Sequence, residues 1–323
     1  MITPIVLGMD IGGTNADFAF IDLEGNILYK SNVPTSDFDT PNSLVQVIRK
    51  RTNEALLAMK GEFVIRAIGI GAPNGNYYRG TIEFAPNMSW KGIIPLAEYF
   101  KMAFGVPCFL TNDANAAAIG EMMYGNAKNV NDFIIITLGT GLGSGIVANG
   151  RLVYGHDGFA GELGHVIVKE GGRQCGCGRK GCLETYASVT GIKRTVVRLL
   201  EGGQYKSELE DITFNQLSGR QISKAALNGD QLAMDAFTIT GDILGKALAN
   251  FVAFSSPQLI VLFGGLAQSK DLIIKPTKES MERNILKIYK SKVPIVLSGL
   301  KGNEAALLGA AALAWKEMGV EAE

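Results

Sequence analysis

One pattern occurs twice in this chain and restricts its fold more than any other feature. Residues 5–28 read IVLGMDIGGTNADFAFIDLEGNIL, and residues 133–153 read FIIITLGTGLGSGIVANGRLV. Each is an apolar strand, a turn of glycine and threonine, a second strand, a small turn and a third strand. Neither turn opens a helix and no GxxxxGK[ST] run is present, so neither a P-loop nor a Rossmann fingerprint explains them. Two such halves in one chain imply duplication.

Between and after the halves, strands alternate with helices. Thr40-Pro41 supplies an N-cap and a first-turn proline, and Leu44, Ile48, Ala55 and Met59 recur at helical spacing until Gly61. Buried strands are expected at 64–70, 106–110 and 259–263, a strand at 294–297 and a closing helix over 304–318. This alternation predicts a two-domain α/β fold. The expected division is an N-terminal domain over 1–112, with the last helix (304–323) packing back on it, and a larger second domain over 113–303. The polar stretch 201–230 reads as a surface elaboration.

Composition removes several classes of function. The 31 basic and 31 acidic residues balance, which gives no general electrostatic reason to expect nucleic acid or an anionic membrane. No apolar run reaches the length of a membrane span, and the start, MITPIVLGMDIGGTN, has no basic signal-peptide region. Four cysteines, three of them clustered, do not form a disulfide scaffold, and Cys108 in VPCFL reads as core. A cytoplasmic protein is expected, with a small molecule as its partner.

The chemistry lies in short motifs. In Asp10-Ile11-Gly12-Gly13-Thr14-Asn15, the glycines let backbone N–H groups approach phosphate oxygens, Thr14 and Asn15 add donors, and Asp10 suits a water-bridged Mg2+. An ordinary glycine hairpin reads equally well there, until the second turn, with Gly139, Thr140 and Gly141, supplies a partner. Gly264 and Gly265 suit close approach to a purine and ribose. Asn112-Asp113 follows a buried strand at its C-terminal end, where ligands of α/β proteins bind. A carboxylate there can take the proton of a hydroxyl attacking phosphorus, and an Asx helix cap is the competing reading. His165, Cys175, Cys177 and Cys182 form a Cys3His set suited to structural Zn2+, although C-x-C is tighter than the common spacing. Glu162, His165 and Glu184 suit sugar hydroxyls, with His165 binding metal through one ring nitrogen and sugar through the other. Asn87 reads as a sugar contact and Trp90 as a wall, with a surface turn the alternative; His156 reads as a loop residue.

Together DIGGTN (10–15), APNMSW (85–90), TNDAN (111–115), LGTGLGSG (138–145), GELGH (161–165), CGCGRKGCLE (175–184) and GG (264–265) resemble the ROK family of bacterial sugar kinases and repressors, within the actin-like ATPase fold. The resemblance spans nearly the whole chain and implies duplicated βββαβα halves of ribonuclease H-like type. It implies ATP-dependent phosphorylation of a hexose 6-hydroxyl, with glucose first and N-acetylglucosamine, N-acetylmannosamine, fructose or another hexose as alternatives. Asp113 would be the catalytic base. Asn112, Glu162, His165 and Glu184 would bind the sugar, with Asn87, while His165, Cys175, Cys177 and Cys182 would hold zinc. Gly12, Gly13, Thr14 and Thr140 would meet ATP phosphates, and Asp10 would serve magnesium. The family's habit implies a homodimer. Its repressors carry a helix-turn-helix before the first phosphate turn, and Asp10 arrives too early here for one. A sugar-responsive or non-catalytic binding protein is the alternative to an enzyme. Two positions depart from the family pattern: Asn74 stands where many members have the glycine of G-x-P-G, and Asn15 where many have lysine.

Overall fold

A computed structural model describes residues 2–300 and 304–320. The chain forms two compact units: Met1–Asn129, Leu152–Ala160 and Ser298–Glu323 make the first, and Val130–Arg151 with Gly161–Leu297 the second. The division expected at 112/113 falls instead after Asn129.

The first unit runs β1 (Thr3–Ile11), β2 (Asn15–Ile21), β3 (Ile27–Pro34), α1 (Pro41–Ala58), β4 (Phe63–Gly71), β5 (Gly75–Asn76), β6 (Thr81–Glu83), β7 (Ile93–Ile94), α2 (Leu96–Phe104), β8 (Cys108–Thr111) and α3 (Asp113–Tyr124). Its main sheet has the order β3-β2-β1-β4-β8, and β5-β6-β7 make a small second sheet. Strand β1 is antiparallel to β2 and parallel to β4, which is parallel to β8. The second unit follows with β9 (Phe133–Leu138), β10 (Leu142–Ala148), β11 (Arg151–Leu152), α4 (Val189–Glu201), α5 (Gly219–Leu227), α6 (Gln231–Ser255), β12 (Leu259–Phe263), α7 (Asp271–Asn284) and β13 (Ile295–Leu297). Its sheet order, β11-β10-β9-β12-β13, repeats the first. Here too the strand after the glycine turn runs antiparallel to the first, and the next two run parallel. This repeated plan is the actin-like architecture expected from the sequence.

The last helix, α8 (Ala305–Glu317), returns to the first unit and packs on β1, β4 and α3. It lies so close to the sheet that a Cβ on Gly69 would overlap the carbonyl of Ala310. Helix α3 belongs to the first unit because it packs closely on α8, where Gly120 and Gly309 leave no room for a Cβ. Burial of Phe18, Phe20, Met9, Leu44, Ile48 and Phe100 drives this unit together.

Residues 201–230 are not a mere surface elaboration. A capping box of Ser218 and Gln221 starts α5. Leu209, Leu217, Ile222, Ala225 and Ala226 are buried in the core of the second unit. Ile222, Ala225 and Ala226 recur at helical spacing on α5, whereas Leu209 and Leu217 stand alone among polar residues. Among the described residues no helix is long and apolar enough to cross a membrane.

Candidate active site and metal centre

In the first unit the parallel strands β1, β4 and β8 end at one edge, where Asp10 pairs with Gly71 and Gly71 with Thr111. Asp10 closes β1, and the turn after it is held by Gly12 N–H donating to Asn15 O (2.9 Å). The Thr35 N–H donates to Thr14 O, so the chain beyond β3 braces the turn. Thr14 and Asn15 are exposed. Asn112 is the N-cap of α3: its Oδ1 accepts from Asn115 N–H at 2.7 Å. Asp113 is the first helical residue. The two readings of this pair therefore divide, with Asn112 as the cap and Asp113 left to a ligand.

Desolvation, and then the charge of Asp17, raise the Asp10 carboxyl to about 6. Asp17, which the sequence reading did not single out, stands directly across the β1–β2 ladder from Asp10. The hairpin register alone would have revealed it. Asp113 is raised to about 7, by desolvation first and the Asp10 charge second, although its side chain keeps contact with solvent. Among the described residues no Lys or Arg lies within ion-pair distance of these three carboxylates. Hard oxygen donors short of positive charge match the chemistry of Mg2+.

The loop over residues 85–90 rests on the turn after β1. The carbonyl of Asn87 fills the space that a Cβ on Gly13 would need, so Gly13 is required for this loop to rest on the Gly12–Asn15 turn. Asn87 is exposed and Met88 is buried. Trp90 is not a sugar wall: its ring is buried and its Nε1–H donates to Phe38 O at 2.9 Å. It anchors the loop.

In the second unit Gly139, Thr140 and Gly141 form the turn between β9 and β10. Gly139 O accepts from Val189 N–H at the start of α4, and Thr140 is exposed. Gly264 lies beside Leu138, and Leu266 N–H donates to Leu138 O, so Gly264 and Gly265 adjoin the same turn. A Cβ on Gly141 would meet the Glu184 carboxylate, so the second glycine turn lies against Glu184.

Beside Glu184 is the Cys3His set. The donor atoms of His165, Cys175, Cys177 and Cys182 all lie within 4.8 Å of one another. Cys177 Sγ and Cys182 Sγ are 3.7 Å apart, and Cys175 Sγ is 3.6 Å from His165 Nδ1. A tetrahedron with Zn–S and Zn–N bonds of ordinary length has edges of about 3.8 Å between sulfurs and about 3.6 Å between sulfur and nitrogen. The residues therefore fit zinc. A tight turn, closed by Gly178 N–H to Cys175 O and Cys175 N–H to Arg179 O, accommodates the C-x-C spacing. With Nδ1 facing the cysteines, Nε2 of His165 faces Glu162 at 4.0 Å, and Nδ1 is also 3.7 Å from Glu184. Partial burial raises the Glu162 carboxyl, the His165 side chain opposes this, and the Glu184 charge adds to it. His156 lies in an exposed loop of the first unit.

The sequence model of the ROK family matches residues 6–317. A glucokinase of Streptomyces coelicolor is 37% identical over 315 residues, covering 96% of this chain and 97% of that protein. The N-acetylglucosamine repressor of Escherichia coli O6:H1 is 30% identical over 325 residues, covering 97% of this chain and 75% of the repressor. Among solved structures, a ROK family glucokinase from Streptomyces griseus in complex with glucose and AMPPNP superposes with a TM-score of 0.77 at 33% identity, over 97% of this chain and 99% of that one. Both glycine turns, the TNDAN segment and the Cys3His motif lie within the matched residues, and the chain belongs to the ROK family.

Proposed function

We propose that this protein is an ATP-dependent hexose kinase acting on the 6-hydroxyl, with glucose as its first substrate: a glucokinase. The observation that carries the reading is Asp113, an unpaired carboxylate at the C-terminal edge of the sheet beside the Gly12–Asn15 turn. Relatives and a solved neighbour named as glucokinases support glucose.

In this reading Asp113 accepts the proton of the sugar 6-hydroxyl as its oxygen attacks the γ-phosphorus and ADP departs. Asn87, Nδ2 of Asn112, Glu162, His165 and Glu184 hold the sugar ring. Backbone N–H groups of Gly13, Gly139 and Gly141, with Thr14, Asn15 and Thr140, hold the phosphates, Gly12 closes the first turn through its bond to Asn15 O, and Gly264-Gly265 adjoins the nucleoside. Asp10 would hold a magnesium ion that comes with ATP, which would supply charge to offset the phosphates. His165, Cys175, Cys177 and Cys182 would hold a structural zinc, which would fix the His165 ring and the chain leading to Glu184. We place the enzyme in the cytoplasm as a homodimer, which sedimentation tests.

The deciding experiment is a coupled ADP-release assay with ATP and Mg2+ over glucose, mannose, fructose, allose, N-acetylglucosamine and N-acetylmannosamine. Selective turnover on glucose is expected; selective turnover on another sugar keeps the kinase and replaces the substrate. The repressor among the relatives favours a sugar-responsive regulator as the second reading. Silence on every sugar, together with a sugar-sensitive DNA shift, would establish it.

A further inference from the structure

Two bulky residues of the first unit sit in the left-handed region that favours glycine: Asn74, with φ of 51°, and Phe84, with φ of 50°. They flank the β5–β6 pairing, in which Gly75 faces Ile82, and hydrogen bonds join Asn74 to Glu83, the residue before Phe84. The Asn74 side-chain Nδ2 donates to Glu83 O at 3.0 Å, and Glu83 N–H donates back to Asn74 O at 3.2 Å. The buried Glu83 carboxylate is held by Arg79 Nη1 at 3.1 Å and Thr81 Oγ1 at 2.8 Å. Glu83 is thus fixed through both backbone and side chain. Phe84 then turns sharply, with its N–H donating to Gly92 O at 2.9 Å and its ring 70% exposed. Three residues on, the Asn87 carbonyl rests against Gly13 of the phosphate turn.

A strained, exposed phenylalanine persists only where its surroundings over-determine it. Glycine would adopt the Asn74 backbone at lower cost, but it has no donor for Glu83 O. We propose that Asn74 is a positioning residue for the sugar side of the site: its amide locks the Glu83–Phe84 turn and thereby aims Asn87. This deepens the hexose-kinase reading and rests on it only where Asn87 is taken to meet the sugar.

Asn74→Gly tests the clamp without adding strain, and Asn74→Asp keeps the size and left-handed tolerance of the residue while removing the donor. Two readouts are taken on the full-length protein. Hydrogen exchange of the amides of Phe84, Ala85, Asn87 and Met88, which needs no activity, is expected to quicken about fivefold in both variants, the size of one lost hydrogen bond. The sugar KM is expected to rise about fivefold, with the ATP KM within about twofold of wild type, since the phosphate turn keeps its own bonds. Unchanged exchange overturns the proposal, as does faster exchange with an unchanged sugar KM. Absence of turnover in the wild type would instead defeat the kinase reading, and exchange would still report on the clamp.

Discussion

Asp10 and Asp17 stand directly opposite each other in the β1–β2 ladder, with no basic side chain in ion-pair reach among the described residues. Like charges in register across a ladder destabilise it. Asp113 adds a third carboxylate that feels the Asp10 charge. A hairpin selected for stability alone would not carry this pair, whereas a site that receives a cation with its nucleotide can.

The stability consequence has a definite sign. Asp10 and Asp113 are raised from the usual carboxylate range to about 6 and about 7. Between about pH 4 and pH 7 the folded chain therefore holds more protons than the unfolded one. The associated stability is fully present below about pH 4 and is lost as pH rises through 6 to 7. Thermal melts of Asp10→Asn and Asp113→Asn should exceed wild type at pH 8 and match it near pH 4. Mg2+ with ADP should raise the wild-type Tm more at pH 8 than at pH 5. Melts of wild type and variants that run parallel across the range would remove the carboxylates from this account.

The same shifts shape the kinetics. A base must be ionised to act, so kcat/KM should climb with pH through a limb near 7 and level off above it. Asp10 and Asp113 interact, so the limb belongs to the pair. In the residual activity of Asp10→Asn it should move to lower pH, because the neighbouring charge that raises Asp113 is gone. Asp113→Asn should lower kcat by about 10²- to 10⁴-fold while sugar binding, followed by calorimetry, stays within a few-fold. Turnover that survives this substitution would mean that the base is another group.

Much of this was legible before any coordinates. The two glycine turns and the apolar runs around them follow local rules, so the strand order repeats as the duplication implies. The place of Asn112-Asp113 at the end of β8 and the start of α3 was legible, because an apolar run that stops at a polar pair before an alanine-rich stretch marks a strand-to-helix junction. Trp90 misled, because an aromatic beside a polar loop looks like a binding wall until its Nε1–H is seen to donate to Phe38 O. Leu209 and Leu217 were hidden for a different reason: their burial depends on helices distant in sequence, which no local period reports. The Asn74 clamp needs both the left-handed backbone and the register of β5 with β6, and neither is written in the residue itself.

The Gly13–Asn87 contact gives a sharp steric test. An alanine methyl at 13 would have to displace the Asn87 backbone, which is braced by the Trp90 and Glu83 hydrogen bonds nearby. Misplacing the phosphate turn and the sugar loop together by about 1 Å costs on the order of 10² in rate. Gly13→Ala should lower kcat/KM by about that factor and raise both the sugar and the ATP KM. Wild-type kinetics in this variant would show that the loop yields.

Metal removal tests the Cys3His set. Elemental analysis should find one zinc per chain in wild type and Cys108→Ser, and little in Cys177→Ser, which removes the exposed one of the three donor cysteines. Cys175 Sγ lies 2.8 Å from Glu184 Oε1, so one of the four donors adjoins the residue assigned to the sugar. Fixing Cys175 on the ion would thereby help to position Glu184. Chelated protein should therefore show a raised sugar KM with a smaller change in the ATP KM. Its Tm should fall by about 5–10 °C, the shift that a loss of roughly 2–3 kcal/mol gives at about 2–4 °C per kcal/mol in units of this size. Zinc added back should restore both. A chelated enzyme with unchanged sugar KM and Tm would leave the cysteines without the structural role assigned to them.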